Sequence, residues 1–236
     1  MTKVNSTQCV HAGRNKKQES SSVTTPIIHS APFHFDSTRE LMDFMEGRSE
    51  RIQPEYGRMG NPTIKAVERR LAALEGAERA VLYSSGMAAI TTLFLTLLSR
   101  GDHLILTDDC YKKTRLFAQY LEKFGVETSI VSPNVQAVAG AIRPSTRFVF
   151  TEIPTNPYLR IPDIQALVEE ARKHDILVIA DSTFATPVNL RPLELGVDIV
   201  THSATKYLGG HNDLLAGVLA GKNEVQEMRP WLGARF

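Results

Sequence analysis

The sequence predicts an α/β protein, a mostly parallel sheet flanked by helices and preceded by an extended N-terminal arm. Three observations carry that prediction. From residue 79 onward, apolar β-type runs alternate with stretches of helical period, the pattern of strands joined by crossover helices. Residues 1–60 keep no sustained period and carry TTPIIHSAPFHF, which suits an arm better than a compact element. Asp181 and Lys206 each follow a strongly apolar run, where open α/β sheets present ligand-binding residues at their C-terminal edge.

Taken in order, the arm of residues 1–60 is expected to wrap a neighbouring subunit, and residues 61–236 to form one domain. Its first helix is predicted from Asn61-Pro62 to Glu75-Gly76, with Asn61 as N-cap and Pro62 in the first helical position. Ile64, Val67, Leu71 and Leu74 form its expected buried stripe. The predicted strands are RAVLY, HLILT, ETSIV, RFVFTE, ILVIAD and DIVTHSA. After the first of them, a helix opens at about Met87. KKTRLFAQYLEKFG places Leu116, Phe117, Tyr120, Leu121 and Phe124 on one face, and DIQALVEEARKHD does the same for Ile164, Leu167, Val168 and Ala171. A last helix is expected from about Lys222.

With 27 basic and 26 acidic side chains, the net charge of +1 supplies no long-range attraction to nucleic acid or to an anionic membrane. The best apolar run, MAAITTLFLTLL, is too short to span a bilayer, and the N-terminus has no apolar leader. Cys9 and Cys110 lie far apart without C-x-x-C spacing, so neither a disulfide framework nor a structural zinc site is expected. A cytoplasmic protein is the expectation. No metal site is expected at His29 and His34, for want of a carboxylate or cysteine partner.

Three segments can carry chemistry. In YSSGMAAITT, a strand runs through Ser84-Ser85-Gly86 into a helix whose first N–H groups and dipole suit an anion such as phosphate. The plainer reading is an ordinary join capped by Ser85. Asp181, at the end of ILVIAD, faces either a cation in a ligand or a local turn or buried arginine. Lys206, flanked by Ser203 and Thr205, is either a nucleophilic amine or a solvated loop charge. Together a phosphate site, an acid and an amine are the parts that hold a phosphorylated pyridine aldehyde.

SATKYLGGHND resembles the pyridoxal-phosphate lysine segment of the Cys/Met-metabolism, cystathionine γ-synthase-like enzymes, whose large domain has the aspartate aminotransferase fold of type I. Similar segments follow in family order: VHAG at 10–13, YGRMGNPT at 56–63, YSSGMAA at 83–89, DDCY at 108–111, PTNP at 154–157 and DSTFATP at 181–187. TDDCYKKTRLF and GGHNDLLAG resemble the plant and cyanobacterial type of cystathionine γ-synthase in particular.

The resemblance implies pyridoxal 5'-phosphate as cofactor. Lys206 is implied to form the internal aldimine and then to shuttle protons, Asp181 to pair with the pyridinium nitrogen, and Tyr111 to stack on the ring. Thr183 is implied to support the other face, with Asn156 at the ring hydroxyl. The phosphate falls to the Gly86 and Met87 amides and the Ser203 and Thr205 hydroxyls. Tyr56 and Arg58 are implied to reach a neighbouring subunit's site, in a homodimer or homotetramer.

The implied reaction is γ-replacement of an O-activated homoserine by cysteine, giving cystathionine for methionine biosynthesis. Relatives with the same motifs are cystathionine γ- or β-lyases, O-acylhomoserine sulfhydrylases or methionine γ-lyases. Full-length relatives also continue into a C-terminal domain that supplies the arginine for the substrate carboxylate. By that comparison the chain is expected to lack this domain, and a catalytically incomplete cofactor-binding chain is the further alternative. A Ser-Lys acyl transferase, suggested by Ser203-x-x-Lys206, is disfavoured because its S-D-N and K-T-G companions do not occur.

Overall fold

A computed structural model describes residues 4–13, 22, 24–49 and 55–222. Seven strands among these residues form one sheet: β1 (Arg79–Tyr83), β2 (His103–Thr107), β3 (Glu127–Val131), β4 (Thr146–Glu152), β5 (Leu177–Asp181), β6 (Ile199–His202) and β7 (Gly217–Gly221). Their order is β1-β7-β6-β5-β4-β2-β3. β2, β3, β4, β5 and β6 pair in parallel, while β7 is antiparallel to both β1 and β6. β7 therefore runs against all the others, and the mostly parallel sheet is as expected. The strand itself was not foreseen. GVLAG is short and glycine-bounded, and its conformation is held by a ladder on each side.

The helices are α1 (Ser6–His11), α2 (Thr38–Met45), α3 (Pro62–Glu75), α4 (Gly86–Leu97), α5 (Lys112–Leu121), α6 (Val135–Ala141), α7 (Ile164–Arg172) and α8 (Thr186–Asn189). Alternation along the strands sorts the helices onto the two faces. Leu104, Leu106, Phe148, Phe150 and Ile179 pack with Leu93 and Phe94 of α4 and Ala118 and Leu121 of α5. Phe94 lies with its ring centre 5.1 Å from that of Phe148 and 5.5 Å from that of Phe150. On the opposite face, Ile105, Val149, Val178 and Val200 pack with Val138 of α6 and with the predicted Ile164, Leu167, Val168 and Ala171 of α7.

α3 begins and ends where predicted. The Asn61 side chain accepts from Thr63 N–H, Pro62 opens the helix, and Gly76 closes it in the left-handed region at φ 70°. Its buried stripe differs from expectation. Ile64 and Val67 are exposed, whereas Glu68, Ala72, Leu74 and Glu75 are buried. Two buried acids explain the rotation: Glu68 accepts the Leu82 N–H of β1, and Glu75 Oε1 lies 2.5 Å from His202 Nε2 at the end of β6. That second pair sits 1% and 2% exposed and ties α3 to the strand leading into Lys206.

α5 also turns from its expected stripe. It packs through Thr114, Phe117, Ala118 and Leu121, leaving Leu116, Tyr120 and Phe124 exposed. Tyr120 and Phe124 cover each other instead, ring centres 5.7 Å apart. The first 60 residues are not wholly extended either. α1 carries a capping box between Asn5 and Gln8, Ser37 caps α2, and Pro32 bridges to Tyr56. His34 does have a carboxylate neighbour, Asp36 at 3.3 Å, and no set of three or more His, Cys, Asp or Glu among the described residues could hold a metal. No described helix is long and apolar enough to cross a membrane. The helix expected beyond Lys222 lies outside the described residues.

Candidate active site

β1, β4, β5 and β6 point their C-terminal ends the same way, and a cavity of about 290 Å³ opens there. Nine of the eleven residues singled out in the sequence line it: Gly86, Met87, Tyr111, Asn156, Asp181, Thr183, Ser203, Thr205 and Lys206. Tyr56 and Arg58 do not. They sit on the exposed arm-side turn, the Arg58 guanidinium carbon 5.0 Å from the Tyr56 ring centre. Sequence reading missed the lining residues Ser85, Ile90, Glu152, Phe184 and Leu215. Ser85 is legible as a cap, and Glu152 shares the signal of Asp181, an acid that ends a strongly apolar run.

α4 begins at the cavity wall. Ser85 caps it by accepting the Ala88 N–H at 3.0 Å, and Gly86 and Met87 contribute the remaining first-turn amides. Two glycines bring this turn against the Lys206 loop. A Cβ on Gly86 would lie 2.8 Å from Ser203 Cβ, and one on Gly217 would lie 2.0 Å from Ser85 O.

Lys206 follows β6 in a tight turn, its N–H donating to Ser203 O at 3.0 Å and its carbonyl accepting from Gly210 N–H at 2.8 Å. Its side chain is exposed in this chain, more than its place after a buried strand suggested. The loop is coupled to Asp181 by a short relay. Ser203 N–H donates to Thr183 Oγ1 at 2.8 Å, and that hydroxyl donates to Asp181 Oδ1 at 2.5 Å. Thr205 Oγ1 is engaged with Ala216, accepting its N–H at 3.1 Å, so this hydroxyl locks the loop to β7.

Asp181 is buried, and burial pushes its carboxyl above the ordinary range, against the Thr183 donors and the His202 charge that favour ionisation. Both Thr183 bonds fall on Oδ1, so Oδ2 takes no part in them. A cation brought by a ligand would offset that burial and favour the charged carboxylate. Burial likewise pushes the neighbouring Cys110 thiol far up, so it is no thiolate nucleophile.

These features fit pyridoxal phosphate. A buried acid suits the ring nitrogen, a glycine-lined helix start suits the phosphate, and an amine lines the same cavity. The volume is that of a small-molecule site. A larger groove of about 820 Å³, lined by Cys9, Val67, Leu71, Pro187 and Tyr207, has Arg70 but no carboxylate to meet a ring nitrogen and no lysine.

Sheet, helix start, acid and lysine together make an α/β fold whose cavity has the parts of a pyridoxal-phosphate site. The profile of the Cys/Met metabolism PLP-dependent enzymes matches residues 6–232, and the chain belongs to that family. It is 42% identical over 233 residues to cystathionine gamma-synthase 1, chloroplastic, of Arabidopsis thaliana, covering 95% of this chain and 41% of that protein. It is 44% identical over 220 residues to cystathionine beta-lyase MetC of Bacillus subtilis, covering 92% and 54%. A crystal structure of metB from Corynebacterium glutamicum superposes with a TM-score of 0.88 at 38% identity, covering 96% of this chain and 58% of that one. The chain thus spans about half the length of the curated relatives it matches.

Proposed function

We propose that this chain carries the cofactor site of a cystathionine γ-synthase, which joins cysteine to an O-activated homoserine. The observation that carries the reading is the convergence of Lys206, Asp181, Tyr111 and the start of α4 on one cavity. The plant-type segment around Tyr111 and the likeness to the Arabidopsis thaliana synthase favour γ-replacement. The comparable identity to a β-lyase supports lyase activity as the second reading.

In this reading, the bound cofactor supplies an electron sink for a carbanion at the substrate Cα. Asp181 holds the ring nitrogen, with Thr183 fixing the carboxylate through Oδ1. Tyr111 and Thr183 would hold the ring, and Asn156 would serve its hydroxyl. Gly86, Met87 and Ser203 would hold the phosphate, while Thr205, bonded to Ala216, holds the loop that presents Lys206. Lys206 Nζ would take the proton from Cα, give it up again, and then take the proton from Cβ as the Cγ–O bond breaks and the activated oxygen leaves with the bonding electrons; the cysteine sulfur, losing its own proton, would take its place at Cγ. Fixing the amine opposite those hydrogens is what the Ser203–Thr183–Asp181 relay contributes. The reduced thiols Cys9 and Cys110 agree with a cytoplasmic setting.

The test is the visible absorbance of the chain mixed with pyridoxal phosphate, followed by borohydride reduction and peptide mapping. Label on Lys206 is expected, with cystathionine formed from O-activated homoserine and cysteine. Release of ammonia and an oxo acid from cystathionine would replace γ-synthase by lyase, and label scattered over surface lysines would end the cofactor-site reading for this chain.

Tyr56 and Arg58 belong, in this proposal, to the site of a neighbouring copy, where Arg58 meets the phosphate. Arg58→Ala should then weaken cofactor binding roughly tenfold or more, the worth of a charge-assisted hydrogen bond, while label still maps to Lys206. Affinity equal to the parent's in a titration would remove the contact.

A further inference from the structure

Glu152 ends β4 inside the cavity, and its register partner across the parallel ladder is Asp181, the last residue of β5. Register partners point to the same face of a sheet, and these two are buried to 4% and 6% exposure. Two carboxylates so placed cannot both carry charge without a cation between them. Their donors differ. Asp181 receives the amide and the hydroxyl of Thr183 and feels the charge of His202. Glu152 receives one donor, the Tyr111 N–H at 2.6 Å on Oε2, and faces the carboxylates of Asp181 and Asp109.

Other charges surround the pair without touching it. Asp109 has Arg160 at 3.9 Å, Arg115 of α5 acts on Cys110, and Lys206 stands on the same cavity wall. Burial, together with Asp181, pushes Glu152 up to about 8, and burial raises Asp181 as well; with one donor against two, Glu152 is the poorer place for the negative charge and the better place for a shared proton. A protonated carboxyl still accepts the Tyr111 N–H and gains an O–H donor of its own. That amide contact matters because Tyr111 precedes α5 with no side-chain cap, and Glu152 ties this N-cap backbone to the end of β4.

We propose that Glu152 is a positioning residue for the cofactor: it anchors the Tyr111 backbone and keeps a proton, leaving Asp181 as the charged carboxylate for the ring nitrogen. The role of Asp181 rests on the pyridoxal-phosphate reading above; the proton on Glu152 does not. A glutamine at 152 reproduces the protonated acid, whereas alanine removes the anchor.

The experiment compares parent, Glu152→Gln and Glu152→Ala in two measurements. The first is thermal unfolding of the cofactor-free chain against pH. Glu152 holds its proton more tightly folded, at about 8, than at its ordinary 4.5. Its contribution to stability is therefore complete below the ordinary value and is lost as pH rises through the folded one. The parent should lose stability across that window and Glu152→Gln should lose clearly less; parallel curves would overturn the proposal. The second is cofactor affinity at neutral pH. Glu152→Ala should bind about tenfold more weakly, as the loss of a buried hydrogen bond implies, and Glu152→Gln should recover most of that. A glutamine variant as weak as alanine would also overturn it. A parent chain that takes no label on Lys206 would count against the proposed function, while the unfolding curves would still decide where the proton sits.

Discussion

Lys206→Ala should leave a folded chain that holds pyridoxal phosphate without any covalent link and turns over substrate at least about a thousandfold more slowly, because in the proposed function the amine is both the attachment point and the proton carrier. The fold should hardly notice. Lys206 is exposed, and the bonds that shape its turn, to Ser203 O and from Gly210 N–H, are made by its backbone. Surface truncations of this kind shift stability by about 0.5 kcal/mol or less. Three measurements check it: the visible band, the borohydride-labelled peptide and cystathionine formation under saturating substrate. Turnover within tenfold of the parent would take the centre out of the proposed mechanism.

Gly217→Ala should act in the opposite way, leaving every site side chain in place while spoiling their spacing. The added Cβ would stand 2.0 Å from Ser85 O, 2.4 Å from Ser85 C and 2.7 Å from Gly86 N, all backbone atoms. A flexible side chain could swing aside, but this contact yields only if β7 and the start of α4 separate. Overpacking of a well-filled core costs about 1–3 kcal/mol where side chains can adjust, and about 3 kcal/mol or more is expected where the backbone must. For a chain of this size that is a fall of roughly 6–12 °C in Tm. The same separation widens the place where Gly86 and Met87 meet Ser203, so cofactor affinity should fall with stability. A Tm within about 2 °C of the parent's would show that the two backbones are not in forced contact.

The two substitutions also mark what could and could not be read from the sequence. Lys206, Asp181 and the Ser85–Gly86 turn each sit at the end of a strongly apolar run, within a local pattern of strand, small polar residues and helix. Local patterns determine local structure because side-chain direction follows backbone period, and this made the helix ends at Asn61, Pro62 and Gly76 legible as well. Where the period was ambiguous, packing chose. Ile64 and Val67 looked like core, yet α3 turned its acids inward, because Glu68 and Glu75 have partners on β1 and β6. On α5, Leu116 and Tyr120 lost the core to Thr114 and Ala118, the smaller residues that let the helix approach the sheet.

By itself the sequence determined an α/β chain with a lysine, an acid and a helix start at the ends of its strands, and the resemblance carried by those segments pointed to the cofactor. Only the tertiary structure decided that β7 enters antiparallel between β1 and β6, that Gly217 admits the Ser85 carbonyl, and that Glu152 stands beside Asp181. The reason is physical: hydrophobic period and capping act between residues a few positions apart, whereas strand order, register and the pairing of buried charges join residues distant in the chain and exist once the sheet has closed around them.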